Sequence, residues 1–370
     1  MIYVFYNNDP LAQDQGGGAE HFRALHRALL KSGLPFRLVA ARLQQHRRAP
    51  HIEYVSEGAS FPRYYLGLWR WFWRNRHRFA PEDVFHFHRN YAAWPKYLLC
   101  GSRGRVLISY HNVTGRVLEG RLGPLAVPLR RLMLAFERRA VRRADALVCV
   151  SGRDRGVLEG LVAAEPFARA EVIPAAFDAD LFAARPVSAP PPELAHRLLF
   201  LGRISHQKNV GLALATLEHL RESGEPYGLT IVGDGEEARQ LVRRIARSPA
   251  AEAVRWLGRV AHDRVAELLA AHGILLVTSR YEASPTVVKE ALAAVRPVVT
   301  TDVGDVRDWI EEGITGFVTE AEPRALAAAV RQASRLILEG RCRRSTRLDS
   351  LAERQIMERV LHLYRELQAG

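Results

Sequence analysis

The chain has little cysteine: three in 370 residues, Cys100, Cys149 and Cys342. An odd, widely spread set without disulfide or metal-ligand spacing excludes a stapled secreted scaffold and fits a reducing, cytoplasmic setting. No apolar run approaches the ~18–20 residues that span a bilayer, so no transmembrane helix is expected. The start, "MIYVFYNNDP", lacks a basic segment ahead of an apolar one and reads as a first strand rather than a signal peptide. A dinucleotide fingerprint is also missing. Gly16 and Gly18 are spaced for it, but His21 holds the place of its third glycine, which argues against a nicotinamide cofactor.

Acidic charge is scarce in one half only. Residues 1–190 hold 28 Lys+Arg against 16 Asp+Glu, whereas the remainder holds 25 against 24. Almost all of the +13 net charge therefore lies in the first half. An Arg-rich surface habit would not leave the second half balanced. The asymmetry points to an anionic partner for the first half: nucleic acid, membrane surface or acidic substrate.

What is present is an alternation of short apolar runs with helical stretches, the pattern of parallel α/β architecture. In the first half, 2–6, 36–40, 83–88, 105–111 and 146–151 read as strands, and 19–33 reads as an amphipathic helix closed by Gly33. The proline-rich 186–193 marks a linker between domains 1–185 and 194–347. Strands then recur at 197–202, 228–235, 254–258, 273–279, 296–301 and 315–320, and a last helix covers roughly 348–368 of a C-terminal segment 348–370. Two doubly wound domains facing each other across a cleft are expected, with ligands at the carboxyl ends of strands.

Each motif has a chemical and a plain reading. In "SRYEASPTVVKEAL", Ser284 before Pro285 predicts an N-cap with proline at the first helical position. Glu282 then precedes the helix and Glu290 sits inside it, some 10 Å apart along the backbone. That separation suits two grips on one extended ligand better than a glycosidase carboxylate pair, and the helix start between them offers N–H groups to an anion. The plain reading is a capped helix with two surface glutamates. In "LGRISHQKN", Arg203 and Lys208 bracket a turn after a strand and could hold a diphosphate, or be ordinary surface cations. "GGGAEH" could bring backbone close to a ligand or be a simple turn. His111 and Asn112 end a strand, and His88 ends another with His86 on the same face; such histidines act on substrates or serve structure. In 61–79, Tyr65, Trp69 and Phe72 recur at helical spacing among arginines, either as a core-packed helix or as a membrane-resting face. Arg70, Trp71 and Arg74 are its candidate acceptor or membrane contacts, with Arg76 and Arg78 extending the charge.

Taken in order, "GRISHQKN", "IVGDGEE", "SRYEASPTVVKEALAAVRPVV", "TDVGDVRDWI" and "EGITGFV", preceded by "GGGAEH", "YHNVT" and "VIPAAFDADLF", resemble the retaining family 4 glycosyltransferases. The resemblance runs from about 14 to 320, is strongest over 198–320 and weak over 40–80. It implies the GT-B fold: two facing Rossmann-like doubly wound domains with a cleft between them. It further implies that Glu282 faces the donor sugar and Glu290 the ribose. Arg203 and Lys208 would meet the diphosphate, with Gly17 and Gly18 approaching it. His111 would lie near the reacting centre. Gly202, Gly233, Ala283, Ser284, Pro285 and Thr286 complete the donor-binding set, and His111, Glu282, Arg203 and Lys208 the catalytic one. Two departures, Ala283 and Asp305 where glycines are common, fall in the sugar region and bear on sugar identity. The resemblance implies transfer with retention, by front-face attack, and no metal: Arg203, Lys208 and the helix start would carry the charge. The one Asp-x-Asp, at 178–180, lies in the loop toward the linker.

The resulting expectation is a cytoplasmic, membrane-peripheral transferase. It would move a hexose-type sugar from a nucleoside-diphosphate sugar to a glycolipid, lipopolysaccharide or cell-surface polysaccharide acceptor. Its rivals are a nucleotide-sugar 2-epimerase of the same fold and a basic nucleic-acid-binding protein.

Overall fold

A computed structural model describes residues 1–12, 17–44, 49–58, 60–111, 127–162, 170–177, 182, 188–351 and 353–370. The chain divides into two compact units, Met1–Ala176 with Arg354–Gly370, and Phe177–Glu353.

The first unit carries seven strands: β1 (Ile2–Tyr6), β2 (Phe36–Arg42), β3 (Ile52–Glu57), β4 (Val84–Phe87), β5 (Arg105–Tyr110), β6 (Ala146–Cys149) and β7 (Ala170–Val172). They form one parallel sheet in the order β3-β2-β1-β4-β5-β6-β7. Every residue of β4 and β6 is buried, as expected for parallel strands covered on both faces. The sequence pattern missed β3 and β7, the two edge strands. β3 has a mostly half-buried, polar-rich pattern and β7 is three residues long, so neither makes an apolar run. The last helix, Glu353–Ala369, belongs to this unit. Its Tyr364 is fully buried and its hydroxyl is hydrogen-bonded to His86 Nδ1 at 2.5 Å.

The helix Phe61–Asn75 buries Tyr64, Gly67, Leu68, Trp71 and Phe72. This corrects the aromatic stripe read from the sequence: Tyr65 and Trp69 are only half-buried, and Trp71 packs on the sheet with its indole donating to Glu53 Oε2 at 2.6 Å. Trp71 is therefore a core residue and not a membrane or acceptor contact. Arg70, Arg74 and Arg78 are exposed, and the exposed Trp73 carries the Arg76 guanidinium 4.0 Å from its ring centre.

The second unit repeats the plan with β8 (Arg197–Leu201), β9 (Gly228–Val232), β10 (Val254–Trp256), β11 (Ile274–Val277), β12 (Val298–Thr301) and β13 (Gly316–Thr319). All are parallel, in the order β10-β9-β8-β11-β12-β13. A helix or helical turn follows each strand up to β13, and Val210–Glu222 and Pro323–Leu338 pack on the sheet to form the core around Leu217, Ile231, Leu276 and Val330. In both sheets the order reverses beside the first strand of the unit, between β1 and β4 and between β8 and β11. Crevices at the carboxyl ends of such switch points are where doubly wound sheets bind ligands. The Arg296 guanidinium ties Ser188 into this unit through its carbonyl at 2.8 Å. Residues 186 and 187 of the expected linker lie outside the described residues, as does the 178–180 Asp-x-Asp.

Candidate functional site

At the switch point of the second unit the turn after β8 meets the turn after β11. Thr278 Oγ1 donates to the carbonyls of Lys208 and Asn209 at 3.1 and 3.0 Å, and Arg280 N donates to Gln207 O at 2.8 Å. These bonds stitch two loops from neighbouring strands into one surface. On it, Lys208 Nζ forms an ion pair with Glu282 Oε1. Glu282 also accepts from Ser279 Oγ at 2.9 Å and from Gln207 Nε2 at 3.4 Å. The side chains of Lys208 and Glu282 keep 22% and 11% of their surface open, so the pair is held in place yet reachable by a ligand. Arg203, on the same strand end, is exposed. Gly202 packs against the Lys208 stem, from which a Cβ would stand 3.5 Å. Gly233 has φ 138, and a Cβ on it would lie 1.8 Å from Gly202 O. Its role is to let the end of β9 cross the end of β8 at backbone contact.

The helix that follows runs Thr286–Ala293. Ser284 is not its N-cap. Pro285 holds that position with no side-chain cap, and the Ser284 hydroxyl instead donates to Asp305 Oδ2 while accepting from Lys289 Nζ. A cap would use the serine oxygen as an acceptor for helix N–H groups; here that oxygen accepts from Lys289 and its hydrogen goes to the buried Asp305 carboxylate. Ala283 and Pro285 are buried, and Thr286 is half-buried at the helix start. Glu290 lies one turn further in, 4% exposed, with His262 Nε2 4.0 Å from its Oε1. The structure thus puts Lys208 and Glu282 in direct contact, leaves Arg203 exposed after the end of β8, and seats Glu290 against a different neighbour. Sequence reasoning did not single out Gln207 and Ser279, although both lie inside the quoted motifs, nor His262, which lies in none, nor Lys289, whose place among the apolar positions of "TVVKEALA" was a signal.

In the first unit the helix Gly17–Ser32 begins within the glycine run, so Gly17 and Gly18 form its first turn and not a free loop; residues 13–16 lie outside the described set. The helix brings His21 to the ends of β4 and β5, where His88 Nδ1 and His111 Nε2 are 2.8 Å apart in a hydrogen bond. His88 is fully buried, not cleft-facing. Burial holds the imidazoles of His88 and His111 well below the usual histidine range, and neighbouring histidines push the same way, so both are neutral. His86 is pushed down to about 3 by burial; its Nε2 bonds to Ser109 Oγ at 2.7 Å. One nitrogen from each of His21, His88 and His111 lies within 4.8 Å of the others, close enough to suit a metal ion. His88 Nε2 is buried with no partner among the described residues. Asn112 lies outside the described residues.

Two family models match the chain: "Glycosyltransferase Family 4" over residues 15–181 and "Glycosyl transferases group 1" over residues 187–346. Sucrose-phosphate synthase from Thermosynechococcus elongatus superposes with a TM-score of 0.79 at 20% identity, covering 100% of this chain and 99% of that one. The chain has the GT-B fold of the glycosyltransferases. A second GT-B neighbour, Anabaena HepE in complex with UDP-glucose, superposes with a TM-score of 0.67 at 15% identity, covering 99% of both chains. By sequence, the glycogen synthase of Mycobacterium tuberculosis is 31% identical over 255 residues, 67% of this chain. The matched region spans 59% of that relative's length.

Proposed function

We propose that the protein is a retaining, metal-independent glycosyltransferase. It moves a hexose-type sugar from a nucleoside-diphosphate sugar to a hydroxyl of a glycolipid, lipopolysaccharide or other cell-surface polysaccharide. The observation that carries this is the Lys208–Glu282 pair at the β8/β11 switch point, with Arg203 exposed after the same strand β8: cations for a diphosphate and a carboxylate for the sugar. Glycosyltransferase family matches over both halves, and a neighbour whose complex holds UDP-glucose, support the same class. In the reaction the bond from C1 of the sugar to the diphosphate oxygen breaks. The acceptor oxygen bonds to C1 from the same face, and its proton goes to the departing phosphate. Arg203 and Lys208 offset the charge growing on the leaving group, a preorganised stabilisation that needs no metal. Glu282 orients the sugar, Glu290 holds the ribose, and the neutral His111 lies by the acceptor.

Thermal-shift screening of the full chain against UDP-, GDP- and ADP-sugars tests this. One base should stabilise the protein well above the others; no stabilisation by any of them sinks the donor reading. The 2-epimerase alternative requires donor turnover without an acceptor, and none of the matches described above is named for it. A nucleic-acid-binding protein would instead retain random oligonucleotides in a salt-dependent way.

The acceptor side rests on the surface of the first unit. Exposed Phe61, Leu66, Trp73, Leu132 and Phe136 occur on helices that also carry Arg63, Arg70, Arg74 and Arg131. Apolar anchors among arginines suit the cytoplasmic face of an anionic membrane, and no helix among the described residues is long and apolar enough to cross one. Replacing Arg70, Arg74, Arg76 and Arg78 with glutamine is expected to lower co-sedimentation with phosphatidylglycerol-containing liposomes at least tenfold, at about 1 kcal/mol per cation. Unchanged binding, or binding indifferent to anionic lipid, would end the peripheral-membrane assignment.

A further inference from the structure

Arg89 follows β4 in the first unit, two residues past its last residue Phe87. Its guanidinium carbon lies 5.9 Å from the ring centre of Tyr6, the last residue of β1. That places the charge at the carboxyl ends of the two strands between which the sheet order reverses, the crevice position of a doubly wound unit. The side chain is half-buried. Among the described residues its guanidinium makes no hydrogen bond or ion pair, and Nε is closed off from solvent without a partner. Nε is alone in this among the three nitrogens, so the two terminal ones form an open edge of the fork. Half-buried arginines elsewhere in the unit are paired: Arg23 with Glu20, Arg37 with Glu53 at 2.9 Å and Arg105 with Asp145 at 3.2 Å.

Two carboxylates near these strand ends are engaged elsewhere. Asp9, three residues past β1, accepts from Leu11 N, Leu43 N and the Tyr54 hydroxyl at 3.0 Å each, and Glu137 accepts from Asn90 Nδ2 at 2.9 Å. Burial above all keeps His88 and His111 neutral, and the Arg89 charge acts on both in the same direction. Arg89 is thus a fixed positive charge beside two neutral imidazoles. The Tyr6 ring compensates it weakly, because 5.9 Å is near the ~6 Å limit for a cation over a ring. A guanidinium drawn partly out of water without a counter-ion carries a desolvation cost that a bound oxyanion offsets. Its fork matches phosphate and carboxylate through two parallel hydrogen bonds.

We propose that Arg89 binds an oxyanion of the acceptor, a phosphate or carboxylate group, so that the molecule receiving the sugar is itself negatively charged. The inference rests on the transferase reading above and deepens it on the acceptor side. The excess of basic over acidic residues in the first half of the chain points to the same kind of partner.

The test is calorimetric titration of the full chain, without nucleotide, by three anionic probes and their neutral counterparts. Glucose 6-phosphate and glucuronate are compared with glucose, and dihexanoyl phosphatidylglycerol with dihexanoylglycerol. The probe that binds best identifies the source of the oxyanion as a phosphorylated sugar, an acidic sugar or a lipid headgroup. Arg89→Gln should weaken that probe by about tenfold or more. Arg89→Lys, which keeps the charge and loses the fork, should weaken it by less. Because the guanidinium bonds to no described residue, both variants should melt near wild type. UDP, GDP and ADP are titrated into the same proteins. The nucleotide that wild type binds should bind Arg89→Gln within about twofold, whereas Lys208→Met should weaken the nucleotide and spare the probe. The proposal is overturned if Arg89→Gln weakens probe and nucleotide equally, or weakens neither. It is overturned as well if wild type binds no anionic probe more tightly than its neutral counterpart. Wild type that binds none of the nucleotides removes the donor reading instead, and the assignment of the anion to an acceptor with it.

Discussion

Lys208→Met is expected to lower the rate of sugar transfer at saturating donor by about 10²–10³, the usual loss when one preorganised donor to a developing negative charge is removed. Lys208 is the cation in direct contact with Glu282 at the switch point. Methionine keeps its stem against Gly202 and deletes only the charge. Glu282 retains Ser279 and Gln207 as donors, so the loop should hold its shape. The pair is partly open to solvent, which limits its share of stability to that of an exposed or half-exposed bridge. The melting temperature should therefore stay near wild type while the initial rate collapses and affinity for the bare nucleotide falls. Rates within threefold of wild type would show that the diphosphate is held elsewhere.

Gly233→Ala should act on the fold, not the chemistry, and is expected to destabilise the second unit by about 3 kcal/mol or more. A methyl group at 1.8 Å from Gly202 O has no room without separating the ends of β8 and β9, and φ 138 is itself strained for alanine. Gly233 is tied on both sides: its N–H donates to Gly258 O at 2.8 Å, and its carbonyl accepts from Trp256 Nε1 at 2.9 Å. Relaxation would break one of these. Urea unfolding followed by tryptophan fluorescence should show a transition at lower denaturant for the unit that contains Trp256. A midpoint equal to wild type would mean that the crossing of the two strand ends is looser than the structure has it.

The inner strands β8, β11 and β12 of the second unit were legible because parallel strands covered on both faces are largely apolar runs, as "RLLFL", "ILLV" and "VVTT" are. The edge strands β10 and β13 were read as well, from short apolar runs next to glycines, whereas β3 and β7 make no such run and were missed. In the Phe61–Asn75 helix, aromatics stand on nearly every face, so periodicity gave a stripe of the wrong phase; contact with the sheet chose Tyr64, Leu68, Trp71 and Phe72. Arg203, Lys208 and Glu282 stood out in the sequence as candidates beside strand ends, and only the resemblance gave them roles. What they touch was not legible there, since the ion pair joins residues 74 positions apart through two loops.

The order of apolar runs, glycines and prolines along the chain was enough by itself to determine two doubly wound sheets and the strand ends at which a ligand should sit. Local spacing carries that information, because strand and helix periods are properties of short segments. Partners in space were decided only by the tertiary structure. Ser284 has the local chemistry of a helix cap, yet Pro285 stands at the cap position, and the Ser284 hydroxyl donates to Asp305, 21 residues further along, and accepts from Lys289, groups that only the tertiary fold brings to it.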